Sequence, residues 1–307
     1  MRLFRYPFTA MGSPCEFQLY ASGQTLADRA AASAEAEIRR LESTYSRYRD
    51  DSVVTVINRS AGDPGGLTLD AETAGLLDYA AAAWEQSDGL FDLTSGVLRR
   101  VWDFKNRRVP AQADIDAVLP FVGWNLIQWR RPHLTLAAGM ELDFGGLVKE
   151  YAADSASRVC RDAGIEHGLV ELGGDIAVMG PHPDGAAWQV GIRNPRCPEI
   201  AIASVELGAS AIASSGDYER YFETNGRRYC HILNPKTGWP VQGLASVSVI
   251  AAQCLVAGTA STVAMLKGSE SGARWLQELG LPYLTIDAGG GFSGTLQARR
   301  SRPSPRA

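Results

Sequence analysis

Residues 15–20, Cys-Glu-Phe-Gln-Leu-Tyr, alternate apolar and polar side chains, which predicts an opening strand with one buried face. The period then changes. Leu26, Ala30, Ala34, Ile38 and Leu41 recur at helical spacing in an Ala-rich, charged stretch, so a helix is expected over 25–44, and the same character returns over 68–87. Between them Gly62-Asp63-Pro64-Gly65-Gly66 reads as a loop. Short apolar runs at 126–129 and 134–136 predict strands that lead into Leu142-Asp143-Phe144-Gly145-Gly146, with a helix over 148–163 and a strand at 168–170. The remainder is strand-rich, at 188–192, 200–206, 211–213 and 244–251, then helical at 254–267 and 270–279 before a last strand at 284–286.

Helices and strands interleave along the whole chain, without repeats or a linker. The fold class expected is therefore α/β (α+β), one compact domain over 1–290 with mixed sheets flanked by helices. Residues 291–307 end in a basic, Pro-rich run and are expected to be a disordered tail. The chain has 307 residues, 45% of them hydrophobic, enough for a sizeable core. A net charge of −4 supplies no basic field, so nucleic acid is set aside as a partner. No stretch approaches the roughly 20 apolar residues of a membrane span, and no secretory leader is recognisable, so a cytoplasmic protein without membrane insertion is expected. Five cysteines without a CxxC spacing suit buried thiols in a reducing compartment.

Four segments could carry chemistry. Val170 to Ile176 holds Leu172-Gly173-Gly174, which permits close approach to a ligand but also suits an ordinary turn, and it lacks the GxGxxG spacing. In Asp143-Phe144-Gly145-Gly146-Leu147-Val148-Lys149 the glycines fall where a helix begins. Exposed N–H groups there, with Lys149, suit a phosphate, and Asp143 could accept bonds from a ribose or base edge; a capped αβ loop explains the same pattern equally well. Ser214-Ser215-Gly216-Asp217-Tyr218 precedes a turn at Thr224-Asn225-Gly226 that folds Ser215 and Asp217 back toward His231. Hydroxyl, carboxylate and imidazole together could polarise a pyrophosphate or shuttle a proton. Finally, Gly258 and Thr262 share a helix face, and Thr262 could offer its oxygen to a hard cation; small residues on a packed helix are the plain alternative.

In this order the segments resemble the ApbE family of FAD:protein FMN transferases, from about Thr9 to Leu284. Met11-Gly12-Ser13, Ser46-Arg47-Tyr48 with Ser52 and Asn58, Gly89-Leu90-Phe91-Asp92, Asp143 to Lys149, and Leu172-Gly173-Gly174 match its motifs, as do 214–218 and the long, specific stretch His231-Ile232-Leu233-Asn234-Pro235-Lys236-Thr237-Gly238-Trp239-Pro240. The resemblance implies that FMN is moved from FAD to a Ser or Thr hydroxyl of an acceptor protein with release of AMP. It implies FAD contacts at Met11, Tyr48, Leu90, Phe91, Asp92, Asp143, Lys149 and Ile232. Catalytic work would fall to His231, Ser215 and Asp217, and a Mg²⁺ would take oxygens from Gly146 and Thr262. Two residues depart from the pattern: Gly258 stands where the family has a metal-binding Asp, and Asn234 replaces the Asp before the proline. The first keeps alternatives open, namely a non-catalytic FAD-binding or flavin-delivery protein, or an FAD pyrophosphatase giving FMN and AMP.

Overall fold

The computed structural model describes residues 1–297 and 299–300. Strands β1 (Arg2–Ala10) and β2 (Ser13–Ala21) form a hairpin, followed by helices α1 (Gln24–Tyr45) and α2 (Val53–Arg59), the short strand β3 (Leu67–Thr68) and helix α3 (Ala71–Gln86). A 3₁₀ helix over Leu93–Arg100, helix α4 (Gln112–Val118) and strands β4 (Gln128–Arg130) and β5 (His133–Thr135) lead to α5 (Val148–Asp162). Next come β6 (Gly168–Leu172), β7 (Asp175–Gly180), β8 (Trp188–Asn194), β9 (Cys197–Leu207) and β10 (Ala211–Gly216). A small hairpin, β11 (Tyr221–Thr224) and β12 (Arg227–Cys230), precedes β13 (Leu244–Ala251), α6 (Cys254–Lys267), α7 (Ser269–Glu278), β14 (Tyr283–Asp287), β15 (Phe292–Gly294) and β16 (Arg299–Arg300).

The frame is an eight-stranded sheet in the order β1-β2-β6-β7-β10-β13-β14-β15. Helices and strands mix along the chain, yet the pairings inside this sheet are antiparallel. On one face α5 packs against α1 and α6, and α6 in turn against α7. Each burial pattern follows from the sequence. Helix α1 buries Ala27, Ala30, Ala31, Ala34, Ile38, Leu41 and Tyr45, the stripe expected of a helix lying on a sheet. Helix α6 is buried on nearly every side, from Cys254 through Met265, because it lies between the sheet and its neighbouring helices. On the other face a small sheet, β16-β9-β8, encloses a second core in which Trp188, Val190 and Ile192 join Leu169, Ile176 and Ile212. Covering both faces explains why β7 and β13 are buried almost throughout, without strand-like alternation.

Strand β1 shows no clean period because it is an edge strand carrying Pro7, with Phe4 and Ala10 its buried apolar positions. Part of the stretch expected as a disordered tail, 291–307, is strand. Phe292 packs against the second core while β15 pairs with β14, and β16 pairs with β9; residues 301–307 lie outside the described residues. Of the five thiols expected to be buried, Cys15, Cys160, Cys230 and Cys254 are, whereas Cys197 is half-buried. Among the described residues no helix is long and apolar enough to cross a membrane.

Candidate active site

The loops that matter lie around the first turn of α5. Lys149 reaches across to β7, where its Nζ stands 2.7 Å from Oδ2 of Asp175. The other oxygen of Asp175 accepts the amide of Ser214 on β10 at 3.2 Å. Gly173, in the β6–β7 turn at φ +61°, presses on the β1–β2 hairpin: a Cβ there would stand 2.8 Å from Cβ of Ser13 and 3.8 Å from Nζ of Lys149. That glycine is required by both backbone angle and space. One network therefore joins the hairpin tip, the Gly-Gly turn, the start of α5 and the end of β10. Burial works against a charge on Lys149, but Asp175 and Glu150 outweigh it and hold the ammonium above its usual value.

Met11 sits at the hairpin tip with φ +51°, an uncommon angle for a residue with a side chain. Its amide donates to Glu42 at 2.6 Å. A non-glycine residue held there by its surroundings is the kind of local strain that collects at binding sites.

Asp143 is clamped between two guanidinium groups, 2.8 Å from Arg47 and 3.1 Å from Arg99, and accepts the amide of Gly145 at 2.9 Å. Burial opposes its ionisation, yet Arg99 and Arg47 keep the carboxyl below its ordinary value. Arg47 also lies over the ring of Tyr48, which is 80% exposed. An aromatic ring left in solvent beside a charged clamp is available for stacking on a planar ligand. Phe91 is buried, its ring within 4 Å of where a Cβ on Gly146 would lie, and Leu90 beside it is half-buried. Asp92 is committed to structure: it accepts from Thr94 N, Thr94 Oγ1 and Trp124 N, which caps the 3₁₀ helix. Gly89 and Asp92 nonetheless line one cleft of about 540 Å³ with Pro235 and Lys236, together with Trp84 and Asn125.

His231 follows β12, its amide donating to the carbonyl of Arg220 at 2.9 Å. Asn225 and Gly226 both have positive φ, so the turn read from Thr224-Asn225-Gly226 is the two-residue hairpin its sequence asks for. The side chains of the expected trio, however, go to different partners. Ser215 Oγ bonds Ser261 Oγ and Thr262 Oγ1, both at 2.8 Å. Asp217 is held by Arg196 at 2.6 Å and Arg228 at 3.3 Å, beside a separate cavity of about 220 Å³. Neither bonds His231. The hairpin folds back as read, but basic side chains from the β8–β9 turn and from β12, invisible to local spacing, capture the carboxylate.

His231 keeps a buried Nδ1 without a hydrogen-bond partner among the described residues. Burial, with the positive charges of Arg220, Arg99 and Lys149, lowers its pKa to about 4, so the ring is neutral near pH 7. Ile232 is buried next to it. The departure at Asn234 has a simple account. Its Oδ1 accepts the amide of Lys236 at 2.9 Å and its carbonyl accepts Gly238 at 2.8 Å, so an amide oxygen suffices to close this turn.

Sequence reading did not single out Arg47, Arg99, Asp175, Arg220 or Glu150. The first four act through tertiary contacts that no local pattern announces. Glu150 directly follows the motif that ends at Lys149. Its Oε2 is buried and has no hydrogen-bond partner among the described residues. Burial and the neighbouring Asp175 push the Glu150 carboxyl well above the usual range.

Comparison with known proteins supplies the context for this geometry. Residues 11–285 match the ApbE family. A Klebsiella pneumoniae protein named FAD:protein FMN transferase is 32% identical over 284 residues, covering 90% of this chain and 86% of its own length. The crystal structure of the ApbE protein from Thermotoga maritima superposes with a TM-score of 0.89 at 29% identity, covering 96% of this chain and 97% of its own. That of the Pseudomonas stutzeri flavinyl transferase ApbE, in its apo form, gives 0.84 at 31% identity, with 96% and 94% covered.

Proposed function

We infer the function from one premise: the chain belongs to the ApbE family, and it acts as an FAD:protein FMN transferase. FAD is its substrate and a protein its acceptor. We assign the acceptor group to a Ser or Thr hydroxyl. Its oxygen forms a bond to the FMN-side phosphorus while the bond from that phosphorus to the bridging oxygen breaks, and AMP departs with that oxygen. The hydroxyl proton passes to the imidazole of His231.

The observation that carries this reading is the buried Nδ1 of His231, which has no hydrogen-bond partner among the described residues, while the charges of Arg220, Arg99 and Lys149 favour a neutral ring. An imidazolium could not take a proton, and an uncharged pocket would not hold a diphosphate. Phosphoryl transfer asks the protein mainly for placement and charge stabilisation. Lys149, Arg99 and Arg220 supply the positive field. Asp143 in its two-arginine clamp and the exposed ring of Tyr48 would grip the polar and planar parts of FAD, with Met11, Leu90, Phe91 and Ile232 as apolar walls. Asp92 would act by fixing the turn that presents Phe91, and Asp217 by orienting Arg196 and Arg228 rather than by touching the proton.

The corner around Ser215 suits a hard divalent cation. Hydroxyls of Ser215, Ser261 and Thr262 converge there, and the buried Oε2 of Glu150 on the neighbouring α5 has no partner among the described residues; such oxygen donors are the ligands Mg²⁺ prefers. Thr262 and the Gly146 carbonyl would hold Mg²⁺, which when bound neutralises charge building on the diphosphate. Four buried thiols support placing the protein in the reducing cytoplasm.

Transfer is tested by incubating the protein with FAD, Mg²⁺ and a Ser- or Thr-containing acceptor peptide, and weighing the peptide. Gain of the FMN mass supports the reading, whereas free FMN with an unchanged peptide would make the protein a pyrophosphatase. A pH prediction accompanies it. The free protein needs neutral His231, and its pKa of about 4 means kcat/KM should hold down to near that pH. Bound diphosphate offsets the surrounding positive charge and raises the imidazole pKa. The acid limb of kcat, which reports the complex, should therefore lie at higher pH than the limb of kcat/KM. Coincident limbs would remove His231 from the proton path.

A further inference from the structure

Gly258 leaves helix α6 without a carboxylate where the resemblance implies one, but the space is filled. A Cβ built on Gly258 would stand 2.5 Å from Cγ of Glu150, 3.0 Å from its Cδ and 3.0 Å from its Oε1. The side chain of Glu150 thus occupies the volume that a residue at 258 would use, and its carboxylate arrives from α5 instead of α6.

The helix pair is locked in this register. Asp154 of α5 accepts the amides of Cys254 and Leu255 at 2.8 and 2.9 Å, capping the start of α6. One turn back along α5 is Glu150, and one turn forward along α6 is Gly258. The antiparallel arrangement therefore brings residue 150 opposite residue 258 as a consequence of the Asp154 cap. Thr262 follows a further turn along the same face of α6. Nearby Lys149 makes its direct ion pair with Asp175, so its charge favours the Glu150 carboxylate only through space. Its Oε2 is out of solvent and bonded to nothing among the described residues. A buried carboxylate oxygen in that condition calls for a proton or a metal.

We propose that Glu150 is the metal-ligating carboxylate of this protein, transposed from α6 to α5, and that it holds a divalent cation together with Thr262. The proposal rests on the reading above, in which this corner takes a cation beside the FAD diphosphate. It also explains the glycine: any side chain at 258 would displace the carboxylate that replaces it. Among the described residues no group of three His, Cys, Asp or Glu side chains converges on one point. A site of one carboxylate, a hydroxyl, backbone and phosphate oxygens is the composition Mg²⁺ commonly accepts.

Direct binding of Mn²⁺, followed by electron paramagnetic resonance in the presence of FAD, tests this without turnover. Four proteins are compared: wild type, Glu150→Gln, Gly258→Asp, and the double variant Glu150→Ala with Gly258→Asp. The glutamine variant keeps shape and should lose at least about tenfold in Mn²⁺ affinity while binding FAD. Gly258→Asp alone sets a Cβ against Glu150 and should melt at lower temperature. The double variant returns the carboxylate to α6, removes the clash, and should recover Mn²⁺ affinity and melting temperature together. Wild-type Mn²⁺ affinity in Glu150→Gln, or a folded double variant that binds Mn²⁺ no better than Glu150→Gln, would overturn the proposal and leave the transferase reading intact. Failure of the wild type to bind FAD would instead remove the reading beneath it.

Discussion

Replacing His231 with Ala is expected to lower the rate of FMN transfer by about 10²- to 10⁴-fold, the range a positioned general base contributes, while FAD affinity changes by no more than a few-fold. The reasoning is electrostatic. The imidazole is uncharged before FAD arrives, so it contributes little attraction to the diphosphate, which Arg220, Arg99 and Lys149 attract without it. Its Nδ1 bonds no other group among the described residues, so truncation orphans no partner on that side. Single-turnover AMP release gives the rate, and quenching of flavin fluorescence gives the affinity. Equal losses in both would make His231 a binding residue.

The second large effect concerns folding. Lys149→Met preserves the aliphatic stem and deletes the charge that balances Asp175, whose side chain is only 3% exposed, with Glu150 alongside. Removing one partner of a buried pair typically costs about 3–5 kcal/mol, because the other charge stays buried and uncompensated. Lys149 itself is 30% exposed, so water can reach the pair from one side and about 3 kcal/mol is expected. Urea unfolding at pH 7 measures it. Adding Asp175→Asn should restore much of the loss, since an amide needs no counter-charge. If Lys149→Met proved as stable as wild type, the pair would be a surface contact and the network around α5 would lose its anchor.

Much of the frame could be read from the chain. The expectation of a helix over 254–267 coincides with α6, and that over 148–163 lies within a residue of α5. Both elements begin and end at clear changes in apolar spacing. Strand β7 and the edge strand β1 were missed, the one because it is buried on both faces and the other because it is barely buried on either. Within the candidate site, the motifs name stretches of backbone. They could not show where side chains turn. Asp217 looked like a partner for His231 because both flank one hairpin, yet Arg196 on the β8–β9 turn and Arg228 on β12 take its carboxylate. Gly258 looked like a loss. Only the approach of α5 reveals that residue 150 fills the gap, a contact across more than a hundred residues of sequence.

The stoichiometry of a single reaction mixture bears most directly on the transferase activity. With FAD, Mg²⁺ and a hydroxyl-bearing acceptor protein, AMP in solution and FMN covalently bound to the acceptor should rise together, one for one, with no free FMN. AMP accompanied by free FMN and an unlabelled acceptor, or FAD recovered intact, would contradict it.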